Sequence, residues 1–177
     1  MRWKTVRLAF GLGSKYLKKR NNIMKVEVLI SAMHQKDLSI VEKTGINTDA
    51  LLINQCDEDK IFEERRLSGT IRCISTTERG LSRSRNKAID NANGDYCLIC
   101  DDDERLEKDY SQKIIAAFDK YKDADIIAFK VKIGNKKYPE RGGRIGYIKS
   151  LRVSSVQIAL RLSSIRRAGI KFDINFG

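Results

Sequence analysis

One histidine, one proline and one tryptophan among 177 residues leave several chemistries without their usual parts. His34 has no second His or Cys close in sequence, so it belongs to no metal-ligand set and reads as a loop residue near a pocket. Four cysteines, Cys56, Cys73, Cys97 and Cys100, come with no convincing secretory signal and read as reduced thiols. Cys97-x-x-Cys100 falls inside an expected strand, where residues three apart point to opposite faces, so it reads as two ordinary buried cysteines. No apolar run is long enough to cross a bilayer. Internal repeats and low-complexity tracts are absent. There is also no nucleic-acid motif and no aromatic stacking platform, which argues against a nucleic-acid partner.

Acidic residues are missing from residues 1–23, where Arg2, Lys4, Arg7, Lys15, Lys18, Lys19 and Arg20 are all basic. Trp3, Val6, Phe10 and Leu17 give a patchy helical stripe, which Gly11 and Gly13 weaken. Three readings stand for this stretch: an amphipathic helix on an anionic membrane, a disordered extension, or residues upstream of a natural start at Met24. Over the whole chain the net charge is +12, with a pI near 9.6. That balance favours anionic partners, such as a nucleotide diphosphate or an acidic membrane surface.

The chain is organised around residues 80–104, GLSRSRNKAIDNANGDYCLICDDDE. This reads as a turn, a helix, an Asn93-Gly94 turn and an apolar strand that runs out into Asp101, Asp102, Asp103 and Glu104. Ligands of open α/β sheets bind beyond the carboxyl ends of the strands. Four carboxylates there repel one another unless a cation joins them, and a hard divalent ion shared with substrate phosphates suits them. In the helix, Leu81, Arg85, Ala88 and Ala92 share one face. Arg85 lies mid-face, where a bare charge is costly, so the acids are its expected partners. Ser82 is the expected N-cap, and Arg79 and Arg83 add positive charge near the same end. The alternative for these residues is a structural ion pair beside a solvated acidic turn.

The remaining pattern alternates. Strands are expected at 26–32, 50–54, 70–75, 95–100 and 125–133, with helices at 37–44, 82–92 and 108–121. The charged run 57–66 reads as an exposed loop or irregular helix. Residues 135–146, rich in Gly, Lys and Arg, read as a mobile basic lid. A further strand is expected at 153–160 and a short helix ending at Gly169. Such alternation indicates an α/β fold with a mainly parallel sheet.

At these residues a resemblance emerges. RGLSRSRNKAIDNANGDYCLICDDDE resembles the segment of family 2 glycosyltransferases that reads R-G-L-S-x-A-R-N, then a G-D-Y turn, then an apolar strand into Asp-x-Asp. The resemblance extends over residues 25–177 and implies a GT-A fold: a Rossmann-like, three-layer α/β/α arrangement. It implies that Mn2+ or Mg2+ sits on Asp101 and Asp103. It further implies a nucleotide-sugar against Ser31, Asn54, Asp57, Arg83, Arg85, Asp101 and Asp102, with Asp103 and Arg85 as the catalytic residues. Two stretches depart from the pattern. Ser31-Ala32-Met33-His34 stands where relatives often read Pro-Thr-Tyr-Asn, and Ile53-Asn54-Gln55-Cys56-Asp57 where they read Val-Asp-Asp-Gly-Ser. Asn54 retains an amide able to bond a uracil edge.

FDINFG, at residues 172–177, resembles the family's F-D-E-x-F-G, which leads into the acceptor half and its catalytic base. The expected organisation is therefore a basic extension, residues 1–23, and a nucleotide-sugar-binding domain, residues 24–177, that is incomplete at its C-terminal end. The implied activity is metal-dependent transfer from a nucleotide-sugar, a UDP-sugar by preference, to a saccharide or lipid-linked acceptor of the cell envelope or capsule. The expected location is cytoplasmic, with peripheral attachment to the inner membrane face as an option. The competing reading is an inactive truncated module that docks on membrane or a partner enzyme.

Overall fold

The computed structural model describes residues 6–9, 24–131, 138 and 142–176. Most of the basic start, residues 132–134 around the end of the expected fifth strand, and residues 135–137 and 139–141 of the expected lid lie outside the described residues.

The apolar run VEVLISAM forms β2 (Val26–Met33), buried on both faces over nearly its whole length. Such a run needs cover on both sides and suits the middle of a parallel sheet. It pairs in parallel with β3 (Asp49–Gln55) on one side and β6 (Tyr96–Asp101) on the other. β3 pairs in parallel with β5 (Gly69–Thr76). Among the described residues the sheet continues to nine strands, in the order β4-β5-β3-β2-β6-β9-β7-β1-β8. Here β1 is Val6–Ala9, β4 Lys60–Arg66, β7 Ile126–Phe129, β8 Arg144–Ile145 and β9 Ile158–Arg161. β4, β8 and β9 run against the direction shared by the others. The mainly parallel α/β arrangement implied by the sequence is thus observed.

Helices cover both faces. On one, α1 (Ser39–Thr44) and α3 (Tyr110–Lys120) bury Ile40, Val41, Ile114 and Phe118 against Val28, Ile30, Leu52 and Tyr96. The Phe118 ring stacks on Tyr96 with centroids 4.2 Å apart. On the other, α2 (Leu81–Asn91) and α5 (Leu162–Arg167) bury Ala88, Ile89 and Ile165 against Leu29, Leu51, Ile53 and Ile99. The short α4 spans Tyr147–Ser150. Cys97 and Cys100 point into opposite cores, as the spacing implied, and all four cysteines are free.

Three expectations are corrected. Of the charged run after β3, residues 57–59 are loop, but Lys60–Arg66 is neither loop nor irregular helix: β4 folds back on β5 through a Leu67-Ser68 turn. Gly69 (φ 152°) makes that turn possible, since a Cβ there would lie 2.6 Å from the Asp49 backbone nitrogen. Val6–Ala9 is extended rather than helical and pairs with β7 and β8. Ser82 does not cap α2. Gly80 occupies the N-cap position, and the Ser82 hydroxyl donates to the Phe176 carbonyl. Within the lid region, Arg144–Ile145 belongs to the sheet as β8.

Candidate active site

β6 ends at Asp101, whose backbone lies beside Ser31 of β2, while Ala32 lies beside Asn54 of β3. The carboxyl ends of three parallel strands therefore meet at one edge. Strand alternation then divides the side chains. Ser31 and Asp101 share the face of Leu29 and Ile99, under α2, whereas Asn54 shares the face of Leu52.

Arg85 rises from the buried side of α2, and its Nη2 lies 2.9 and 3.1 Å from the two Asp101 carboxylate oxygens. The arginine side chain is 8% exposed and the aspartate 27%. Arg85 Nε is buried with no hydrogen-bond partner, and the guanidinium lies 5.6 Å from the centre of the Phe172 ring. The helix face is otherwise rotated from the expected one. Ser82, Ser84, Arg85, Ala88 and Ile89 are buried, while Leu81 is exposed. Ser84 donates to Ser31 across 2.9 Å, which ties α2 to β2 one strand from the acids. Asn86 exchanges two bonds with the Phe172 backbone, 2.8 and 2.9 Å, and so holds the C-terminal segment over the same helix end.

The other acids are less enclosed. Asp102 is half-buried and Asp103 exposed. Glu104 folds back beside Cys100, and burial with the neighbouring Asp101 and Asp103 charges pushes its carboxyl up to about 7. Burial is the larger cause of that rise, and the neighbouring negative charges add to it. Among the described residues no group of three His, Cys, Asp or Glu side chains is gathered to hold a metal. A divalent ion that takes its other ligands from a diphosphate and water does not require three. Hard carboxylate oxygens at an accessible strand end fit Mg2+ or Mn2+.

On the opposite face lies a cavity of about 350 Å3. Its apolar lining is Leu52, Cys73 and Phe62, and its polar lining is Gln35, Lys36, Asp37, Asn54, Glu58, Lys60 and Ser75. Asn54 is buried and committed: its oxygen accepts from Gln35 N and its nitrogen donates to Gln35 O, both at 2.9 Å. The amide therefore fixes the loop after β2. In that loop His34 adopts a left-handed backbone (φ 52°) and donates to Gln55 O at 3.1 Å. Such strain in a non-glycine residue collects at working sites.

The basic residues separate. Arg79 Nη1 donates to the carbonyls of Cys56 and Thr77 at 2.9 and 2.8 Å, and its Nη2 pairs with Asp57 at 2.6 Å. Both therefore staple the loops after β3 and β5. Arg83 is exposed on α2. The structure thus joins Arg85, Asp101 and Ser31, sets Asn54 at the neighbouring cavity, and leaves Asp57 and Arg83 at the periphery. The cavity residues Lys60, Phe62 and Ser75 escaped the sequence reading because the β4–β5 hairpin brings them to Gln35 and Lys36 of the loop after β2. The hairpin's signal was the Ser68-Gly69 dipeptide between two extended runs.

The profile of the family described as "Glycosyl transferase family 2" matches residues 33–173. No curated protein matches the chain. Solved structures of TarS from S. aureus do. Its residues 1–349 in complex with UDP-GlcNAc superpose with a TM-score of 0.64 at 15% identity, over 85% of this chain and 49% of that one. The complex of the same portion with UDP gives 0.62 at 15% identity, over 86% and 51%. TarS as a whole gives 0.61 at 15% identity, over 86% of this chain and 31% of that one. The chain thus spans about half the length of the TarS portion it matches.

Proposed function

The chain belongs to glycosyl transferase family 2, and from that premise we propose that it is the donor-binding part of a metal-dependent enzyme. The donor is a UDP-sugar. The acceptor is a saccharide or lipid-linked chain of the cell envelope or capsule, met at the cytoplasmic face of the membrane.

The observation that carries this reading is the adjacency of Asp101, gripped by Arg85, to the cavity beside Asn54 at one strand edge. The complexes of TarS with UDP and UDP-GlcNAc support a uridine donor. The cavity takes the nucleoside, its apolar lining set against the base and Gln35 and Ser75 bonding its edge. The diphosphate then crosses the strand ends towards Asp101 and Asp103, which hold the divalent ion. A bound Mg2+ or Mn2+ supplies positive charge that offsets what grows on the departing diphosphate.

The chain's own groups orient the donor. Arg85 fixes the position of the Asp101 carboxylate through its two contacts. The first turn of α2 directs its free N–H groups towards the same edge, where developing negative charge is stabilised. Asp102 borders the ribose and the exposed Asp103 completes the acid pair. Ser31 holds α2 in register through Ser84.

Calorimetric titration of UDP and UDP-GlcNAc, with Mn2+ and after its chelation, tests the reading. Metal-dependent heat that disappears in Asp103→Ala is expected. Heat indifferent to both metal and Asp103 contradicts it. The net charge of +12 favours the second reading, an inactive module that docks on anionic membrane or a partner enzyme. Liposome binding with no nucleotide heat under any condition would establish that one instead.

A further inference from the structure

We propose that β4 is a self-association surface: two copies of this chain pair antiparallel, strand to strand, with the two-fold axis at Glu64. Among the described residues β4 has one neighbour, β5, and stands at the end of the sheet. Its residues are exposed along almost the entire strand. The connection from β3 to β5 carries no helix, so nothing among the described residues covers this edge. An uncovered strand offers a row of backbone donors and acceptors to another chain. Ile61 is 77% exposed and Leu67, at the turn, is fully exposed.

The side chains select the partner. In a coplanar antiparallel pair, opposite residues share a face, so a two-fold axis must fall on one residue facing itself. With the axis at Glu63, Glu63 meets itself and Lys60 meets Arg66. With the axis at Arg65, two arginines meet. With the axis at Glu64, Glu63 faces the partner's Arg65 twice, Ile61 faces the partner's Leu67, and Phe62 faces the partner's Arg66. Opposite charges, an apolar pair and an arginine against an aromatic ring all favour cross-strand pairing. Glu64 then meets itself, but each copy already accepts from its own Arg66 Nε at 2.6 Å. Glu63 and Arg65, by contrast, have no ion-pair partner among the described residues. An axis at Phe62 sets Lys60 against Glu64 but overlaps only residues 60–64 and leaves Leu67 bare. The surface is thus self-complementary in one register that uses the whole strand, and the expected occupant is a second copy of the chain.

Sedimentation velocity over a range of protein concentrations tests this with charge exchange. The unaltered chain should shift from monomer to dimer as concentration rises. Glu63→Arg and Arg65→Glu, each creating a like-charge pair, should sediment as monomers where the unaltered chain is dimeric. An equimolar mixture of the two should recover the dimer, as should the doubly exchanged chain. Circular dichroism identifies any variant that has lost its fold, in which case the doubly exchanged chain decides. A chain that stays monomeric, single variants that remain dimeric, or a folded mixture that fails to associate would each overturn the proposal. None of these outcomes depends on nucleotide binding.

Discussion

Arg85 Nη2 stands 2.9 and 3.1 Å from the two carboxylate oxygens of Asp101, while Nε of the same guanidinium is buried without a partner. The pair is therefore tight at one end and unfinished at the other. An arginine held for stability alone would be expected to satisfy all its buried donors. Here the incomplete satisfaction coincides with the strand end that the fold reserves for ligands.

Removing one member leaves the other uncompensated. Asp101→Ala should lower unfolding stability by about 3 kcal/mol, because it strands the Arg85 charge against Phe172 and the α2 face. Arg85→Met, which removes the charge and keeps the bulk, should cost less than Asp101→Ala. Urea denaturation of both variants checks the ordering.

Glu27 is a second buried carboxylate, 2% exposed, at the far end of β2. It accepts from Arg72 at 2.7 Å and from the backbone nitrogens of Asn93 and Gly94. It thus anchors the turn that aims β6 at the site. Glu27→Gln should cost about 2 kcal/mol, since an amide replaces the charged acceptor of three donors. The prediction is read from the urea midpoint, with nucleotide affinity per folded molecule unchanged.

Asn54 acts through Gln35. Asn54→Ala should weaken UDP binding roughly tenfold while costing about 1 kcal/mol of stability. Asn54→Asp keeps the acceptor for Gln35 N but faces the Gln35 carbonyl with a second oxygen, so it should not rescue. Calorimetric affinity alongside thermal melts separates the two effects.

The thiols should react unequally. Burial pushes Cys73 up to about 11 and raises Cys97 and Cys100 further, whereas Cys56 is half-buried. At neutral pH a thiol reagent should label Cys56 in the folded protein and all four cysteines after denaturation. Because these folded values lie above the unfolded one, their stabilising effect is complete below about pH 8. It is lost as pH rises through the folded values. Stability should therefore fall on the alkaline side.

The strands and helices that carry the site were legible because their signals are local. VEVLISAM and YCLIC are continuous apolar runs, and Gly45, with its left-handed φ of 72°, ends α1 where the sequence indicated. The Arg85–Asp101 pair was legible because a charge on a buried helix face has few places to go. Ser82 misled because its residue type suits a cap, while its hydroxyl is claimed by the Phe176 carbonyl, 94 residues away. Asn54 looked free to read a base, since nothing local reveals that the Gln35 backbone occupies both ends of its amide. β4 was hidden by its charges. An edge strand exposed on both faces has no apolar alternation to betray it.

Hydrogen–deuterium exchange with and without UDP and Mn2+ tests the central claim most directly. The account expects new protection at residues 33–37, 54–57 and 101–104, where the loop after β2 and the ends of β3 and β6 line the donor site. Protection confined to other segments, or none at saturating nucleotide, would contradict it.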